Sequence, residues 1–302
     1  MIDLPAVPVI DLSFATGSDL VAGLQQASCV FLTGLDSLSA QAASMVAVSD
    51  AFFALSEAEK GRVRWSGQGP WVGWQPLYAG GDDALLLERF EIALPDPEDF
   101  ATAEEWTNNF DQWPDRPLEM APVWGAYYRS MRALADRITA MLVAALDLPP
   151  DDLPSWTTRQ HSNLVVNHYL PQVTPPAPGR VRQKPHTDHG GLTLLWADGR
   201  AGLEAAIGAD GAWVPVSFPP GAILLQAGDL LHLWSRGTIP ANNHRVVNPP
   251  RESADAQAER YSVVFFHHPD LDTWVAPPGD ATFGVKARDY VLQRQKISYS
   301  LD

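Results

Sequence analysis

The sequence predicts a mainly β fold with flanking helices, in which an N-terminal helical layer that also contains strands precedes a jelly-roll core. After residue 160 the chain becomes a series of short β-like runs separated by Gly and Pro, which is typical of an antiparallel sandwich or barrel. Before that residue, longer stretches repeat their apolar side chains at helical spacing. We expect a single domain over residues 1–302, with the mixed α/β layer at 1–155, the jelly-roll core at 160–270 and a C-terminal helix at 283–298.

An edge strand is predicted to open the N-terminal layer. Residues 5–13 begin with prolines and alternate apolar with small or polar residues, as a short edge strand does. The later elements are, in order, a helix capped by Asp19 and running to about 28, a buried strand at 29–33, a helix at 37–55 closed by residues 57–60, a loop at 66–84 and a long helix from 121 to about 148. The loop is predicted from its Gly, Trp and Pro content, and the long helix from apolar residues spaced three or four apart.

The predicted core consists of short strands followed by one helix. The strands are expected near 163–169, 182–188, 192–196, 202–206, 213–216, 221–226, 229–234, 243–248 and 260–267. So many short strands at close spacing indicate antiparallel pairing in a jelly roll. The last helix is expected from about 285 to 296.

Composition and charge exclude several classes of protein. The chain has 302 residues, 46% of them hydrophobic, so it can bury a sizeable core. Its net charge of −15 disfavours nucleic acid and membrane surfaces as partners, because no basic surplus is present to displace counterions. A single cysteine, Cys29, excludes an intrachain disulfide and a thiolate metal cluster. The first 59 residues contain no Lys or Arg, and no apolar run reaches the roughly 18 residues of a membrane span, so we expect a cytoplasmic protein.

The sharpest local motif is His186-Thr-Asp188. Because side chains repeat every two residues along a strand, the imidazole and the carboxylate share a face and can reach one ion. A third ligand is needed, and the chain offers His161, His168, His189, His232, His244, His267 and His268. We favour His244, because a downstream jelly-roll strand can return beside the first. Two His and one carboxylate are typical of non-haem Fe(II) oxygenases, although zinc is also compatible with this ligand set.

A second motif, Arg260-Tyr-Ser262, is predicted to bind a carboxylate. On a strand the guanidinium and the hydroxyl share a face, and an arginine amid Val and Phe is costly without an anionic partner. Asn167 and Tyr169 share a face on another predicted strand. The alternatives are a surface ion pair for Arg260 and satisfied core polar groups for Asn167 and Tyr169.

In this order, the two motifs and His244 resemble the iron(II)/2-oxoglutarate-dependent dioxygenases, in the branch related to isopenicillin N synthase. Segments 8–13, 52–60, 191–195 and 265–270 also resemble that family's recurring segments, so the resemblance covers nearly the whole chain. It implies a double-stranded β-helix and a single dioxygenase domain. It also implies an oxidoreductase that uses Fe(II), 2-oxoglutarate as cosubstrate and O2.

By the same resemblance, Fe(II) would bind His186, Asp188 and His244. The distal carboxylate of 2-oxoglutarate would rest on Arg260 and Ser262, and O2 would take the remaining open position on the metal. Asn167 and Tyr169 match the family's Asn-x-Tyr segment at the 2-oxoglutarate site, where His168 replaces the usual aromatic residue between them.

We expect the substrate to be a small organic molecule. Aromatic walls with a few fixed polar groups are typical of ligand pockets, and the candidate substrate residues are Trp71, Trp74, Arg89, Arg182 and Trp196, with Arg180 as a further cation. Core packing for the tryptophans and local charge balance for the arginines are the alternatives.

The expected reaction is hydroxylation, or else desaturation or cyclisation. A strong excess of Arg over Lys and 26 Pro indicate a GC-rich bacterial gene, so we expect a role in bacterial specialised metabolism. One alternative is an iron oxidase of the same fold that does not consume 2-oxoglutarate, which coupled succinate formation would exclude. The other is a non-catalytic binding protein, which would never consume O2.

Overall fold

Two large β-sheets, a small two-stranded sheet and a layer of helices make up the computed structural model, which describes residues 6–66, 72–78, 85–93, 113–158, 160–172, 181–208 and 210–299. The helices are α1 (Gly17–Ala27), α2 (Asp36–Phe53), α3 (Glu57–Lys60), α4 (Met120–Ala145), α5 (Leu153–Thr157), α6 (Asp229–Trp234) and α7 (Ala287–Tyr299). The strands are β1 (Val9–Asp11), β2 (Cys29–Thr33), β3 (Gly73–Tyr78), β4 (Leu85–Ile92), β5 (Asn163–Tyr169), β6 (Gln183–His186), β7 (Leu192–Ala197), β8 (Leu203–Ile207), β9 (Ala212–Pro215), β10 (Ile223–Ala227), β11 (His244–Val246), β12 (Arg260–His267), β13 (Trp274–Val275) and β14 (Val285–Lys286).

The larger sheet has eight strands in the order β1-β2-β10-β7-β12-β5-β4-β3, and the smaller has four in the order β6-β11-β8-β9. All pairings in both sheets are antiparallel except that of β1 with β2. Strands β13 and β14 form a separate hairpin. Non-consecutive neighbours such as β12 between β7 and β5 are what a jelly roll requires, because strands distant in sequence pair side by side.

The central strands of the larger sheet bury both faces, and successive residues contribute to different layers. On β12, Val263 and Phe265 belong to an apolar cluster with α1, α2 and α4, whereas Val264 belongs to a second cluster between the two sheets. The same alternation occurs on β10, where Leu225 faces the helices and Leu224 faces the smaller sheet. The period of two therefore separates a helix-facing layer from an inter-sheet layer.

The predicted mainly β fold with a jelly-roll core and a helical layer is confirmed. The strands expected at 29–33, 163–169 and 260–267 have the predicted bounds. The long amphipathic helix is α4, and the C-terminal helix is α7. Strand β1 lies at the edge of the larger sheet, as its prolines and short length indicated.

Two predicted elements are wrong. Residues 229–234 form helix α6 rather than a strand, because Leu230, Leu231 and Trp234 all face the apolar core at helical spacing. Within the predicted loop at 66–84, residues 73–78 form strand β3, which pairs with β4 at the end of the larger sheet. Strand β3 is stabilised by its hydrogen bonds to β4, and local composition cannot indicate such a partner.

The start of α1 and the end of α2 also differ from expectation. Thr16, not Asp19, caps α1, and Asp19 closes a capping box by accepting hydrogen bonds from the backbone and side chain of Thr16. Helix α2 ends at Phe53, and Ser56 caps the separate short helix α3 in a second capping box. Each box satisfies backbone N–H groups that the first turn of a helix leaves unpaired.

None of the described helices is by itself long and apolar enough to cross a membrane, although α2 and the segment Glu57–Val63 pass that test as a strongly bent pair.

A buried histidine links the long helix to the larger sheet. His267, at the end of β12, lies 3.1 Å from Gln160 Oε1 through Nδ1 and 3.2 Å from the hydroxyl of Thr139 on α4 through Nε2. Because the amide oxygen can only accept, Nδ1 donates and Nε2 accepts from the hydroxyl, which defines a neutral imidazole. Burial lowers the pKa of His267 to about 3.

We therefore predict that His267 makes the protein less stable in acid. An unfolded histidine takes up a proton near pH 6.5, whereas folded His267 does so only near 3, so the unfolded state binds more protons between these values. Its contribution to stability is fully present above about pH 6.5 and is lost as the pH falls. From pH 7 to pH 5 the free energy of unfolding should fall by on the order of 1–2 kcal/mol through this residue.

Chemical denaturation at both pH values tests this, with His267→Gln expected to lose that part of the pH dependence. Thr139→Val is the matched control, because it removes a hydrogen bond to His267 but keeps the imidazole. An unchanged pH dependence in His267→Gln would contradict the prediction.

Candidate active site

Three potential metal ligands meet at one end of the smaller sheet. His186 ends β6 and His244 begins β11, and the antiparallel pairing of these strands sets the two residues opposite each other. Asp188 follows two residues after His186, and its Oδ1 lies 3.9 Å from Nε2 of each histidine. One ligand atom from each residue falls within 4.8 Å of the others. The structure thus brings together the three residues that the sequence suggested as metal ligands.

Backbone carbonyl groups fix the orientation of both imidazoles. Nδ1 of His186 lies 2.8 Å from the carbonyl oxygen of Lys184, and Nδ1 of His244 lies 3.2 Å from that of Asn242. Because a carbonyl can only accept, each Nδ1 carries the proton and each Nε2 presents a lone pair toward Asp188. Such a contact on the far nitrogen is a regular feature of metal-binding histidines.

Asp188 is buried and held from two directions. The hydroxyl of Thr193 on β7 donates a 2.5 Å hydrogen bond to Oδ2, which leaves Oδ1 turned toward the histidines. The backbone N–H of Asp229, at the start of α6, donates to the carbonyl oxygen of Asp188 at 2.8 Å. A Cβ atom at position 228 would collide with the carbonyl oxygen of Gly190, so the glycine at 228 allows the start of α6 to approach the segment after Asp188.

The C-terminal helix also reaches the metal-ligand segment. Arg294 of α7 donates a 3.0 Å hydrogen bond to the hydroxyl of Thr187, the residue between His186 and Asp188, and lies 3.3 Å from Asp229. Tyr290 donates to the same aspartate at 2.9 Å. Helix α7 therefore braces the turn that carries Asp188.

The charge states of His186 and Asp188 suit a cation. Burial and the neighbouring His244 lower the pKa of His186 to about 4, so this imidazole is neutral at pH 7. Burial alone would raise the pKa of Asp188, but His244, His186 and the Thr193 hydroxyl outweigh it and lower that pKa. Two imidazole nitrogens and one carboxylate oxygen on one side of an ion form the facial donor set of non-haem Fe(II) sites, so the residues fit iron.

The described residues enclose a cavity of about 140 Å³ between the two sheets, next to the three ligands. A volume of this order accommodates a small organic molecule. Apolar walls come from both sheets, and the residues concerned are Val165, Leu195, Leu203, Val246, Val264 and Phe266. The cavity therefore combines apolar walls with charged and polar groups, as small-molecule sites do.

One end of the cavity contains the predicted carboxylate-binding residues. In the β5–β12 pairing Ser262 lies opposite Asn167, and Arg260 lies opposite Tyr169. Asn167 donates a 3.3 Å hydrogen bond to the Ser262 hydroxyl, and the Arg260 guanidinium lies 4.8 Å from the centre of the Tyr169 ring. All four residues line the cavity, so the interpretation of Arg260 as part of an exposed surface ion pair is wrong.

The two tryptophans of the described residues that were predicted to contact substrate lie outside this cavity. Trp74 is 1% exposed within the helix-facing cluster, and its indole N–H donates to Glu88 at 2.7 Å. Trp196 packs against the same cluster and donates to Ser39 of α2 at 3.1 Å. On β7 the cavity-facing residues are Thr193 and Leu195, so the period of two turns Trp196 to the other face. Core packing is the outcome for both.

The predicted arginines divide between two places. Arg89, on β4, lines the cavity and donates to the Gln75 amide oxygen through Nε at 2.9 Å and Nη2 at 2.6 Å. Arg182 is buried outside the described cavity wall, with its guanidinium 5.5 Å from the centre of the Tyr169 ring. Trp71 and Arg180 lie outside the described residues.

Polar residues that the sequence reasoning missed stand beside Arg89. Glu91 lies one period further along β4, 4.0 Å from Arg89, and Asn163 donates to it at 2.6 Å. Burial raises the pKa of Glu91 to about 7. Gln226 and His268 also line the cavity. The alternation of Arg89 with Glu91 could have indicated a shared strand face, but β4 itself was not predicted.

Comparison with known proteins places these residues in a recognised region. Residues 160–269 match the family model described as the 2OG-Fe(II) oxygenase superfamily. This segment contains all three metal-ligand candidates and Arg260, Ser262, Asn167 and Tyr169. The predicted resemblance to Fe(II)/2-oxoglutarate-dependent dioxygenases is confirmed.

Curated relatives carry related descriptions. The chain is 31% identical over 176 residues to the 2-oxoglutarate-dependent dioxygenase caaD of Aspergillus niger, an alignment that covers 58% of this chain and 52% of the relative. It is 34% identical over 171 residues to the Validamycin A dioxygenase of Streptomyces hygroscopicus subsp. limoneus, with 55% of this chain and 46% of the relative covered. The chain thus spans about half the length of these relatives.

Solved structures show the same fold. A full-length Neurospora crassa protein, crystallised in complex with alpha-KG, superposes with a TM-score of 0.84 at 23% identity, over 99% of this chain and 98% of that one. A putative 2OG-Fe(II) oxygenase family protein from Caulobacter crescentus gives a TM-score of 0.80 at 24% identity, over 97% of both chains. At such identities the likeness concerns the fold alone.

The hydrogen bond from Thr193 to Asp188 should strengthen metal binding. Thr193→Val leaves Oδ2 without its donor and frees the carboxylate to rotate, so we expect metal affinity to fall by about tenfold, as for other partners that orient a ligand. Anaerobic titration of metal-free protein with Fe(II) measures this. Thr33→Val, a like substitution on β2 of the same sheet, should leave the affinity unchanged, and equal affinities in all three proteins would contradict the assignment.

Proposed function

From the match of residues 160–269 to the 2OG-Fe(II) oxygenase superfamily, we propose that this chain is an Fe(II)- and 2-oxoglutarate-dependent oxygenase acting on a small organic molecule. The observation that carries the proposal is one cavity with a metal-ligand triad at one side and a buried arginine at another. A metal site alone would suit many reactions. A metal site and a carboxylate-binding arginine in the same cavity suit a 2-oxo acid that chelates the metal and carries a second carboxylate.

His186, Asp188 and His244 would hold the iron. Bound iron, with 2-oxoglutarate and O2, supplies an oxidative decarboxylation that yields succinate and CO2 and oxidises the substrate. All three ligands also line the cavity, so an ion that they held would be accessible from it. Thr193 and the Lys184 and Asn242 carbonyl groups keep the donor atoms oriented before the metal arrives, which lowers the cost of binding.

Arg260, Ser262, Asn167 and Tyr169 would orient 2-oxoglutarate. The guanidinium of Arg260 neutralises the distal carboxylate, and the Ser262 hydroxyl can donate to it while accepting from Asn167. Apolar neighbours such as Val264 and Leu203 exclude water from this end, which strengthens the charge interaction. The position of the far carboxylate then sets where the 2-oxo acid end meets the metal.

Arg89, Glu91 and Asn163 would contact the substrate. They line the cavity from β4 and the start of β5, where Arg89 lies opposite Asn167. Together they offer hydrogen-bond donors and acceptors side by side, which suits a small polar molecule that presents both. A structure of the full-length Neurospora crassa protein that contains thymine as well as alpha-KG is an example of such a ligand in a protein of this fold.

We further propose a role in specialised metabolism, with hydroxylation as the reaction, or else desaturation or cyclisation. The Validamycin A dioxygenase from a Streptomyces supports this role, and fungal relatives show that the likeness extends beyond bacteria. Residues 1–302 would act as one dioxygenase domain, because the helix-facing cluster joins α1, α2 and α4 to the larger sheet. A cytoplasmic setting stays a prediction.

Anaerobic spectroscopy tests the metal and cosubstrate together. Metal-free protein that receives Fe(II) and then 2-oxoglutarate should develop the weak visible charge-transfer band of an iron-bound 2-oxo acid. His186→Ala should abolish the band because it removes one of three ligands, whereas His232→Ala, at a histidine outside the cavity wall, should retain it. Fe(II) binding without a band would contradict the use of 2-oxoglutarate and favour an oxidase that binds substrate directly on iron.

A substrate screen tests the proposed role of Arg89. Small heterocyclic amides and carboxylic acids are screened for compounds that raise succinate formation above its uncoupled rate. Arg89→Met should lose this effect at the same concentration, because the KM for such a compound should rise by about tenfold when one charged hydrogen bond is lost. Trp196→Phe should leave KM unchanged, because the indole faces α2. Similar KM values in wild type and Arg89→Met would remove Arg89 from the substrate site.

A further inference from the structure

A second buried arginine stands beside the 2-oxoglutarate end of the cavity. Arg182, the residue before β6, is 4% exposed, and its guanidinium lies 5.5 Å from the centre of the Tyr169 ring. Its Nη2 makes a long contact of 3.4 Å with the carbonyl oxygen of Leu170. Its Nε and Nη1 are buried and have no hydrogen-bond partner among the residues that the structure describes.

Arg260 approaches the same aromatic ring and is also incompletely paired. It is 2% exposed, and its guanidinium lies 4.8 Å from the centre of the Tyr169 ring. Nε makes a 3.4 Å contact with the carbonyl oxygen of Arg200, while Nη1 has no partner in the described part of the chain. Two buried cations thus share Tyr169, and three of their nitrogens lack hydrogen bonds to any described residue.

The two aspartates that attract Arg182 are paired elsewhere. Asp198 accepts from the backbone N–H of Tyr261 at 2.7 Å, and Asp255 pairs with Arg200 at 3.4 Å and with the backbone N–H of Ala201 at 3.2 Å. These acids attract Arg182 only at longer range, and burial together with Arg260 lowers its pKa. Two buried like charges without a paired anion are costly, so a fold that keeps both requires a reason.

We propose that Arg182 is a second cation of the distal-carboxylate site, which acts from beside Tyr169 to favour 2-oxo acids that end in a carboxylate. Because Arg182 is not part of the described cavity wall, it is a positioning residue: its charge adds to that of Arg260 next to the same ring. The inference rests on the proposed function, and it transfers Arg182 from the predicted substrate site to the cosubstrate site.

Two 2-oxo acids of equal chain length separate this role from simple packing. 2-Oxoglutarate carries the distal carboxylate, and 2-oxopentanoate ends in a methyl group at the same place. Arg182→Met keeps the long side chain without its charge, so binding of 2-oxoglutarate should weaken by about tenfold while that of 2-oxopentanoate changes by less than about twofold. Arg182→Lys should recover most of the preference. Titration of the charge-transfer band of the Fe(II) protein under argon measures each dissociation constant.

Stability provides a second measurement. Because two nitrogens of Arg182 have no partner among the described residues, Arg182→Met should leave the Tm of the metal-free protein unchanged or raise it. Arg137→Met is the matched control: Arg137 also contacts a backbone carbonyl, that of Leu12 at 2.8 Å, but lies on α4. It should leave the preference between the two acids at the wild-type value.

The outcomes are distinct. Equal weakening of both acids, no change for either, or loss of folding in Arg182→Met would each overturn the inference and leave the proposed function standing. A wild-type protein that binds Fe(II) but gives no band with 2-oxoglutarate would instead overturn the proposed function, and the inference with it.

Discussion

The pairing of β6 with β11, in the register that sets His244 opposite His186, is the constraint on which the site depends. A shift by one residue would turn one imidazole to the other face of the smaller sheet and separate the two Nε2 atoms. Asp188 lies beyond the end of β6, so its position depends on other contacts, chiefly Thr193 on the larger sheet and the backbone N–H of Asp229. The triad therefore sits where both sheets and α6 are joined.

Charge is separated along the cavity. The carboxylate of Asp188 lies at one end of the cavity and the guanidinium of Arg260 at the other, with Arg182 beside Tyr169, in a chain whose net charge is −15. Neither end is neutral by itself, and both are buried. A ligand that chelates a metal at one end and carries a carboxylate at the other would complete both sites, and its binding would offset electrostatic costs that folding alone leaves in place.

The larger sheet separates packing from chemistry by the alternation of its strands. On β12, Tyr261 stacks 4.7 Å from His168 and donates to Asp50 of α2 at 2.7 Å, on the face opposite Arg260. On the neighbouring strands, Glu88 joins Lys60 at 2.7 Å and the Trp74 indole in the same helix-facing layer. This layer fixes the strand positions, and the other face presents the polar groups that line the cavity.

The sequence by itself determined whether a segment is a strand or a helix where its apolar pattern matches the burial seen in the structure. It also identified candidate site residues, namely His186, Asp188, His244, Arg260 and Ser262. Spacing of two on a strand is a local property, so shared faces follow directly from it. The choice of His244 among the histidines depended on resemblance and on an expected return of the chain. Only strand pairing could bring it to His186.

The tertiary structure decided what local patterns leave open. The apolar run at residues 229–234 is compatible with either a strand or a helix. Packing of Leu230 and Leu231 into the core selected the helix. Trp74 and Trp196 are residues of the type that often line pockets, but both lie on the strand face that packs against the helices. Glu91 and Asn163 lie on the face that lines the cavity. A sequence lists which side chains are available; which of two sheet faces meets the ligand depends on contacts between residues far apart in the chain.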